Sequence, residues 1–91
     1  MFDRNFKNWL IDRGYKEYTP SGNPSTAYDY VKRINFIIEQ EHYDSWQNVA
    51  DNIDFLLREY GETGRKAMLG KKSHNSVISA LRRFKEFLED N

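Results

Sequence analysis

The chain has 91 residues, of which 38% are hydrophobic and 15% aromatic, and its 14 Lys and Arg residues balance 14 Asp and Glu residues. This length suits one domain with a single modest core, in which rings contribute as much as aliphatic side chains. The absence of cysteine excludes disulfides, thiolate metal sites and cysteine nucleophiles. No apolar run approaches the ~20 residues of a membrane span, and the N-terminal stretch MFDRNFKNWL lacks the order of a secretion signal. We therefore expect a soluble, cytoplasmic protein.

The first predicted helix covers residues 2–13, because aromatic and aliphatic residues recur there at the spacing of one helical face. Gly14 is expected to end it. The stretch that follows, YKEYTPSGNPST, contains enough prolines, glycine and hydroxyl side chains to stop any helix. Near its end, Asn23 is the predicted N-cap of a second helix, with Pro24 at the first helical position.

The second and third predicted helices span residues 24–41 and 45–60, each with its apolar residues on one face. The spacing of Asp44 and Gln47 predicts a capping box at the start of the third helix. Gly61 is suited to close that helix, because glycine readily adopts the backbone conformation found after a helix end.

A glycine-punctuated connector, residues 61–72, precedes a fourth predicted helix at 74–89, capped by Ser73 or Asn75. The connector is longer than usual between bundle helices, which indicates either disorder or a function. Four amphipathic helices with no alternating strand pattern predict a compact all-α four-helix bundle. Its core is expected to contain Trp9, Ile34, Ile38, Ile53, Leu57, Leu81 and Phe84.

Although the net charge is zero, acidic and basic residues are distributed unevenly along the sequence. Residues 39–62 contain seven acidic residues and one arginine, whereas no acidic residue occurs in residues 63–85. The cations of this second window are Arg65, Lys66, Lys71, Lys72, Arg82, Arg83 and Lys85. We expect two opposed patches, since a basic loop that leads into a helix N-terminus presents ammonium and N–H groups to an anion such as phosphate. The alternative is a solvated polar face without a partner.

The side of the fourth helix opposite its apolar stripe carries polar groups suited to a DNA duplex. They are Lys72, Asn75, Ser79, Arg82, Arg83 and Glu86. Asn and Arg side chains form bidentate hydrogen bonds with adenine and guanine edges, and Lys and Ser contact phosphates. This pattern predicts a helix that enters the major groove. Alternatively, these are ordinary exposed residues, and Arg82 pairs with Glu86 one turn away.

The order of these segments resembles the N-terminal, SAM-like core-binding domain of tyrosine recombinases, the phage integrases. The corresponding stretches are FKNWL, PSTAYDYVKRI, NIDFLLREYG and SHNSVISALRRFKEFL. The resemblance covers nearly the whole chain, as a helical pattern with a loose consensus. It implies a SAM-like orthogonal bundle that clamps one face of duplex DNA with its second and fourth helices.

By position, the resemblance places the DNA contacts on those two helices. The residues are Ser25, Thr26, Lys32, Arg33, Lys72, Ser73, Asn75, Ser79 and Arg82. The catalytic domain of a recombinase does not follow in this sequence, and the acidic third helix is unusual for a DNA clamp. We therefore expect a non-catalytic domain that binds duplex DNA, with a recombinase catalytic domain or another protein as a further partner. The same interpretation includes no cofactor and no small-molecule substrate.

Phe36 and Phe55 point away from the apolar faces of their helices. Exposed rings beside an acidic surface would suit a protein partner or a second copy, so the alternative function is an interaction or accessory domain of a larger nuclease or phage protein. The competing interpretation buries both rings against neighbouring helices. His42 and His74 lie on different segments, and carboxylate pairs occupy solvated faces. We therefore expect neither a metal site nor an active site.

Overall fold

The computed structural model of the chain describes residues 2–90, and within them every regular element is a helix. The helices are α1 (Phe2–Asp12), α2 (Thr26–Glu41), α3 (Trp46–Asp51), α4 (Ile53–Glu59), α5 (Ala67–Gly70) and α6 (Lys72–Glu89). The prediction of an all-α fold is confirmed, although the described chain has six helices instead of four. Each of these helices is too short or too polar to span a bilayer.

Aromatic side chains from α1, α3 and α6 form the centre of the core. The ring of Phe84 meets Phe6 at a centroid distance of 5.2 Å and Trp46 at 5.5 Å, both edge to face. Phe2 lies edge-on to it at 5.9 Å, and Phe87 stacks on it at 5.8 Å. Such pairs stabilise a core beyond the area that they bury.

All the predicted core residues lie in this core or against it. Fully buried are Ile34, Leu81 and Phe84. Partly buried and packed against the core are Trp9, Ile38, Ile53 and Leu57. The helical period of the sequence therefore assigns the inward face of each helix correctly.

The start of α2 differs from the prediction, because Ser25 and not Asn23 precedes the first helical residue, Thr26. The connector folds back on itself, and the backbone carbonyl of Asn23 accepts a hydrogen bond from the N–H of Thr19 at 2.8 Å. The N–H of Ser25 donates to the carbonyl of Glu17 at 2.8 Å. These bonds keep the chain extended as far as Ser25, so the helix begins two residues late.

The predicted third helix is broken into α3 and α4 at Asn52. This residue has φ −116° and ψ 20°, and its side-chain amide donates to the carbonyl of Asn48 at 2.8 Å. An asparagine side chain that competes for a backbone carbonyl in this way interrupts a helix. The predicted capping box of Asp44 and Gln47 is wrong by one residue. The backbone N–H of Ser45 donates to the side-chain oxygen of Asn48 at 3.1 Å.

The connector of residues 61–72 is an ordered part of the fold and includes the one-turn helix α5. Its glycines allow two backbones to touch. A Cβ atom at Gly64 would lie 2.0 Å from the carbonyl oxygen of Arg58, and one at Gly70 would lie 1.9 Å from that of Tyr60. Because no side chain fits at either position, the connector packs directly on the end of α4.

The first turn of α6 is left-handed. Ser73, His74 and Asn75 have φ values of 55°, 59° and 68°, and the right-handed helix begins only after them. Neither Ser73 nor Asn75 is therefore the simple N-cap that was predicted. Left-handed backbone costs roughly 1–2 kcal/mol for each residue other than glycine, so surrounding contacts must hold this turn.

Replacing Phe84 by Ala should lower the free energy of unfolding by about 3–5 kcal/mol, because four other rings lose their common neighbour. The matched control is Phe55→Ala. The ring of Phe55 is 40% exposed, and its loss should cost less than about 1 kcal/mol. Urea denaturation followed by circular dichroism measures both changes. Equal losses in the two variants would contradict the central place of Phe84.

Candidate nucleic-acid interface

Four of the seven cations in the basic window are paired with carboxylates. The pairs are Arg65 with Glu59 at 2.6 Å, Lys66 with Glu41 at 2.5 Å, Lys85 with Asp54 at 2.9 Å, and Arg83 with Glu86. Three of these carboxylates belong to the acidic window of residues 39–62. The expectation of two opposed patches is therefore wrong, because carboxylates of the acidic window form ion pairs with cations of the basic window.

Two of these pairs belong to the structure of the α4–α5 connection. Hydrogen bonding from Arg65 lowers the pKa of Glu59 below its usual range. Glu41 accepts hydrogen bonds from Lys66 and from the hydroxyl of Tyr60, the latter at 2.7 Å. Burial and this bond raise the pKa of Tyr60 above its usual range. Arg65 and Lys66 are thus engaged in holding the connector.

Lys71, Lys72 and Arg82 are the cations of the window that form no ion pair within residues 2–90. All three are exposed. The ammonium group of Lys72 lies 4.7 Å from the ring centroid of Phe36, which is partly buried against the core. Phe36 therefore fits the competing interpretation, in which the ring packs against neighbouring helices, whereas the ring of Phe55 is 40% exposed. Two of the unpaired cations, Lys71 and Lys72, lie at the start of α6, and the third, Arg82, lies in its second half.

A groove of about 470 Å³ lies between α6 and the connection from α4 to α5, and we call it the α6 groove. Lys71 and Arg82 line it, together with Asn75 and Ser79. Three of these residues form the polar line that the sequence predicts on the outward side of the helix. Their placement together is as predicted, and Glu62 adds one carboxylate to the groove.

Arg82 does not pair with Glu86, contrary to the alternative interpretation of the sequence. Glu86 pairs instead with Arg83, and this hydrogen bond raises the pKa of the Arg83 guanidinium. The two adjacent arginines, Arg82 and Arg83, therefore differ in their contacts. Arg83 is held along the helix surface, whereas Arg82 projects into the α6 groove.

A second depression, of about 410 Å³, adjoins the start of α2 and is called here the α2 recess. Ser25 and Thr26 line it from α2, and Ser76 lines it from α6. His74 and Ser79 line both the α2 recess and the α6 groove. The two helix starts on which the resemblance places DNA contacts thus form one continuous polar surface.

Two residues assigned to DNA by the resemblance lie elsewhere. Arg33 pairs with Asp29 at 3.2 Å, and its Nε atom donates to the hydroxyl of Ser76 at 3.0 Å. Its side chain is only 16% exposed, so it ties α2 to α6. Lys32 is exposed but lines a different depression, which it shares with Lys7 of α1.

The sequence predicts no DNA contact at Ser76 or His74. Both line the α2 recess because the left-handed turn changes the side of the chain that each residue faces. Helical spacing in the sequence does not predict three successive non-glycine residues with positive φ. It therefore could not reveal that Ser76 and His74 line the α2 recess. Within residues 2–90, no group of three or more histidines and carboxylates is arranged to hold a metal ion.

No protein-family model matches the chain, and no curated protein or solved structure matches it either. The functional interpretation therefore rests on the charges and geometry of the surface formed by the α6 groove and the α2 recess.

The left-handed turn at the edge of this surface is testable by glycine substitution. Ser73→Gly should raise the free energy of unfolding by about 0.5–1 kcal/mol, because glycine removes the cost of a positive φ. The same change at Ser79 should lower it by at least about 0.5–1 kcal/mol, since Ser79 lies in the right-handed part of α6. Urea denaturation of both variants provides the comparison. A loss of stability in Ser73→Gly would show that the turn is right-handed.

Proposed function

We propose that the chain is a non-catalytic domain that binds duplex DNA through the start of α6 and the start of α2. The observation that carries this proposal is the position of Lys71, Lys72 and Arg82. These three cations lack a carboxylate partner within residues 2–90, while the other cations of the basic window are paired. Lys71 and Lys72 lie at the start of α6, and Arg82 lies in its second half and lines the same groove as Lys71. Unpaired cations grouped on one surface are the usual means of attracting a phosphate backbone.

The chemistry of the surrounding side chains favours a nucleic acid over an isolated anion. The hydroxyl groups of Ser25, Thr26 and Ser79 suit phosphate oxygens, as do the ammonium groups of the two lysines. Asn75 and Arg82 carry the bidentate groups that recognise adenine and guanine. Phosphate-binding and base-recognising side chains thus lie on the same continuous surface, as a groove-binding helix requires.

The finer architecture that we propose is a SAM-like core-binding domain of the kind found in tyrosine recombinases. α2 and α6 are the longest helices within residues 2–90, and Arg33 joins them through the hydroxyl of Ser76. Their adjoining starts support a clamp on one face of a duplex. The biological process would then be DNA recombination or integration by a phage or mobile element, in the cytoplasm, together with a catalytic domain.

The double substitution Lys71→Gln with Lys72→Gln should weaken binding to every duplex about equally. It should also reduce the slope of log K against log salt concentration by about two, since two phosphate contacts are lost. The matched control is Arg65→Gln with Arg83→Gln, which changes the net charge by the same amount at paired positions. Fluorescence anisotropy with a random duplex at several salt concentrations measures both. Equal weakening in the two variants would show that overall charge, not this surface, attracts DNA.

Arg82→Ala should relax sequence preference at one base pair, because a bidentate contact with guanine contributes about 1–3 kcal/mol of discrimination. Arg83→Ala is the control, since Arg83 is adjacent to Arg82 in the sequence but is paired with Glu86. Selection of preferred sites from random duplexes compares both variants with the wild type. If the wild type selects no site, the domain binds phosphates without reading bases. If Arg83→Ala relaxes the same position, the assignment of Arg82 is wrong.

A further inference from the structure

A second surface lies at the other end of α6, and it is built from aromatic rings. Two depressions of about 360 and 430 Å³ share Phe2 as a common wall. Trp9 and Phe87 line the first, and Trp46 lines the second. We call these two depressions together the Phe2 surface. At about 1.5 Å per residue along the helix, Phe87 lies about 16 Å from Ser76 and about 8 Å from Arg82, the residue of the proposed DNA surface nearest to it in the sequence.

The charged residues of the Phe2 surface are all acidic. Asp12 lines the first depression, and Asp3 and Asp44 line the second. These three carboxylates are exposed and form no ion pair within residues 2–90. No lysine or arginine of the described chain lines either depression. Arg13 lies over the Trp9 ring beside the first depression, where it is paired with Asp90. The second depression combines the rings of Phe2 and Trp46 with the two unpaired carboxylates of Asp3 and Asp44.

The hydrogen-bond donors on the two indoles are already engaged. The Nε1–H group of Trp9 donates to Asp90 at 2.8 Å, and that of Trp46 donates to Asn35 at 2.9 Å. Neither indole therefore offers a free donor. The ring of Trp9 is also covered by the guanidinium of Arg13, which lies 4.3 Å from its centroid, so the open ring surfaces are those of Phe2 and Trp46. A ligand that needs donors, such as an anion, gains nothing from them and is repelled by the carboxylates.

We propose that the Phe2 surface docks a basic peptide segment of a protein partner, in which lysine or arginine residues flank an apolar side chain. The apolar side chain would lie against the rings of Phe2 and Trp46. The flanking cations would meet Asp3 and Asp44, and cations also interact favourably with aromatic ring faces. Charge complementarity decides this choice, because phosphate groups of nucleic acid or of an anionic membrane would be repelled.

The test uses a short synthetic peptide of lysines interspersed with leucine and phenylalanine. Two control peptides have the lysines replaced by glutamate, or the apolar residues replaced by serine. Amide chemical shifts of the isotope-labelled protein are followed by NMR during titration. The first peptide should shift residues of α1, the start of α3 and the end of α6, and both controls should bind at least about tenfold more weakly.

Two protein variants locate the contact. Asp3→Asn with Asp44→Asn should weaken binding about three- to tenfold, since two exposed ion pairs are lost. The matched control, Glu39→Gln with Glu62→Gln, removes the same charge elsewhere and should leave the affinity unchanged. The proposal is overturned if both double variants weaken binding equally, if the serine-substituted peptide binds as well as the first, or if the shifts fall on the α6 groove. It is also overturned if the shifts arise from self-association of the protein.

Discussion

The packing of rings around Phe84 is the interaction on which the remaining structure depends. It fixes the rotation of α6, because Phe84 must turn inward to meet the rings of α1 and α3, and Val77 and Leu81 are buried on the same face of the helix. With about 100° between successive residues, this rotation leaves Ser79 and Arg82 on the outward side. The proposed DNA surface is thus a geometric consequence of the core, although none of its side chains takes part in the aromatic cluster.

Ion pairing then decides which of the basic residues are available to a ligand. The connector from α4 to α5 runs so close to α4 that Arg65 meets Glu59, and Lys66 meets Glu41. A cation held by a carboxylate contributes little additional attraction for phosphate, because its charge is already compensated within the fold. The seven cations that the sequence displays over a long segment are reduced in the structure to three unpaired ones, Lys71 and Lys72 at the start of α6 and Arg82 in its second half.

The sequence predicts helix faces well, since apolar residues at the helical period identify the inward side without knowledge of neighbouring segments. It predicts poorly where a helix is interrupted. Asn52 interrupts a helix through one side-chain hydrogen bond to the carbonyl of Asn48, and the same residue would be tolerated if its side chain bonded to water instead. The pairs of Arg65 and Lys66 depend on the path of the connector, which the close approach at Gly70 sets. That approach is a property of the folded chain, so helical spacing does not reveal it.

The two proposed surfaces share α6 and have opposite charge, which raises the question whether the carboxylates of the Phe2 surface would repel DNA. At about 1.5 Å per residue along the helix, Phe87 lies about 16 Å from Ser76 and about 8 Å from Arg82. Screening at physiological ionic strength reduces interactions between exposed charges beyond about 8 Å. Phosphate contacts at Lys71, which precedes Ser76 along the chain, are therefore screened from charges near Phe87, whereas Arg82 lies nearer to those charges. The helix between the two surfaces is continuous, and its inward face is buried. We therefore expect α6 to contribute to DNA binding near its start and to peptide binding at its end, with each ligand attracted by the charges nearest to it.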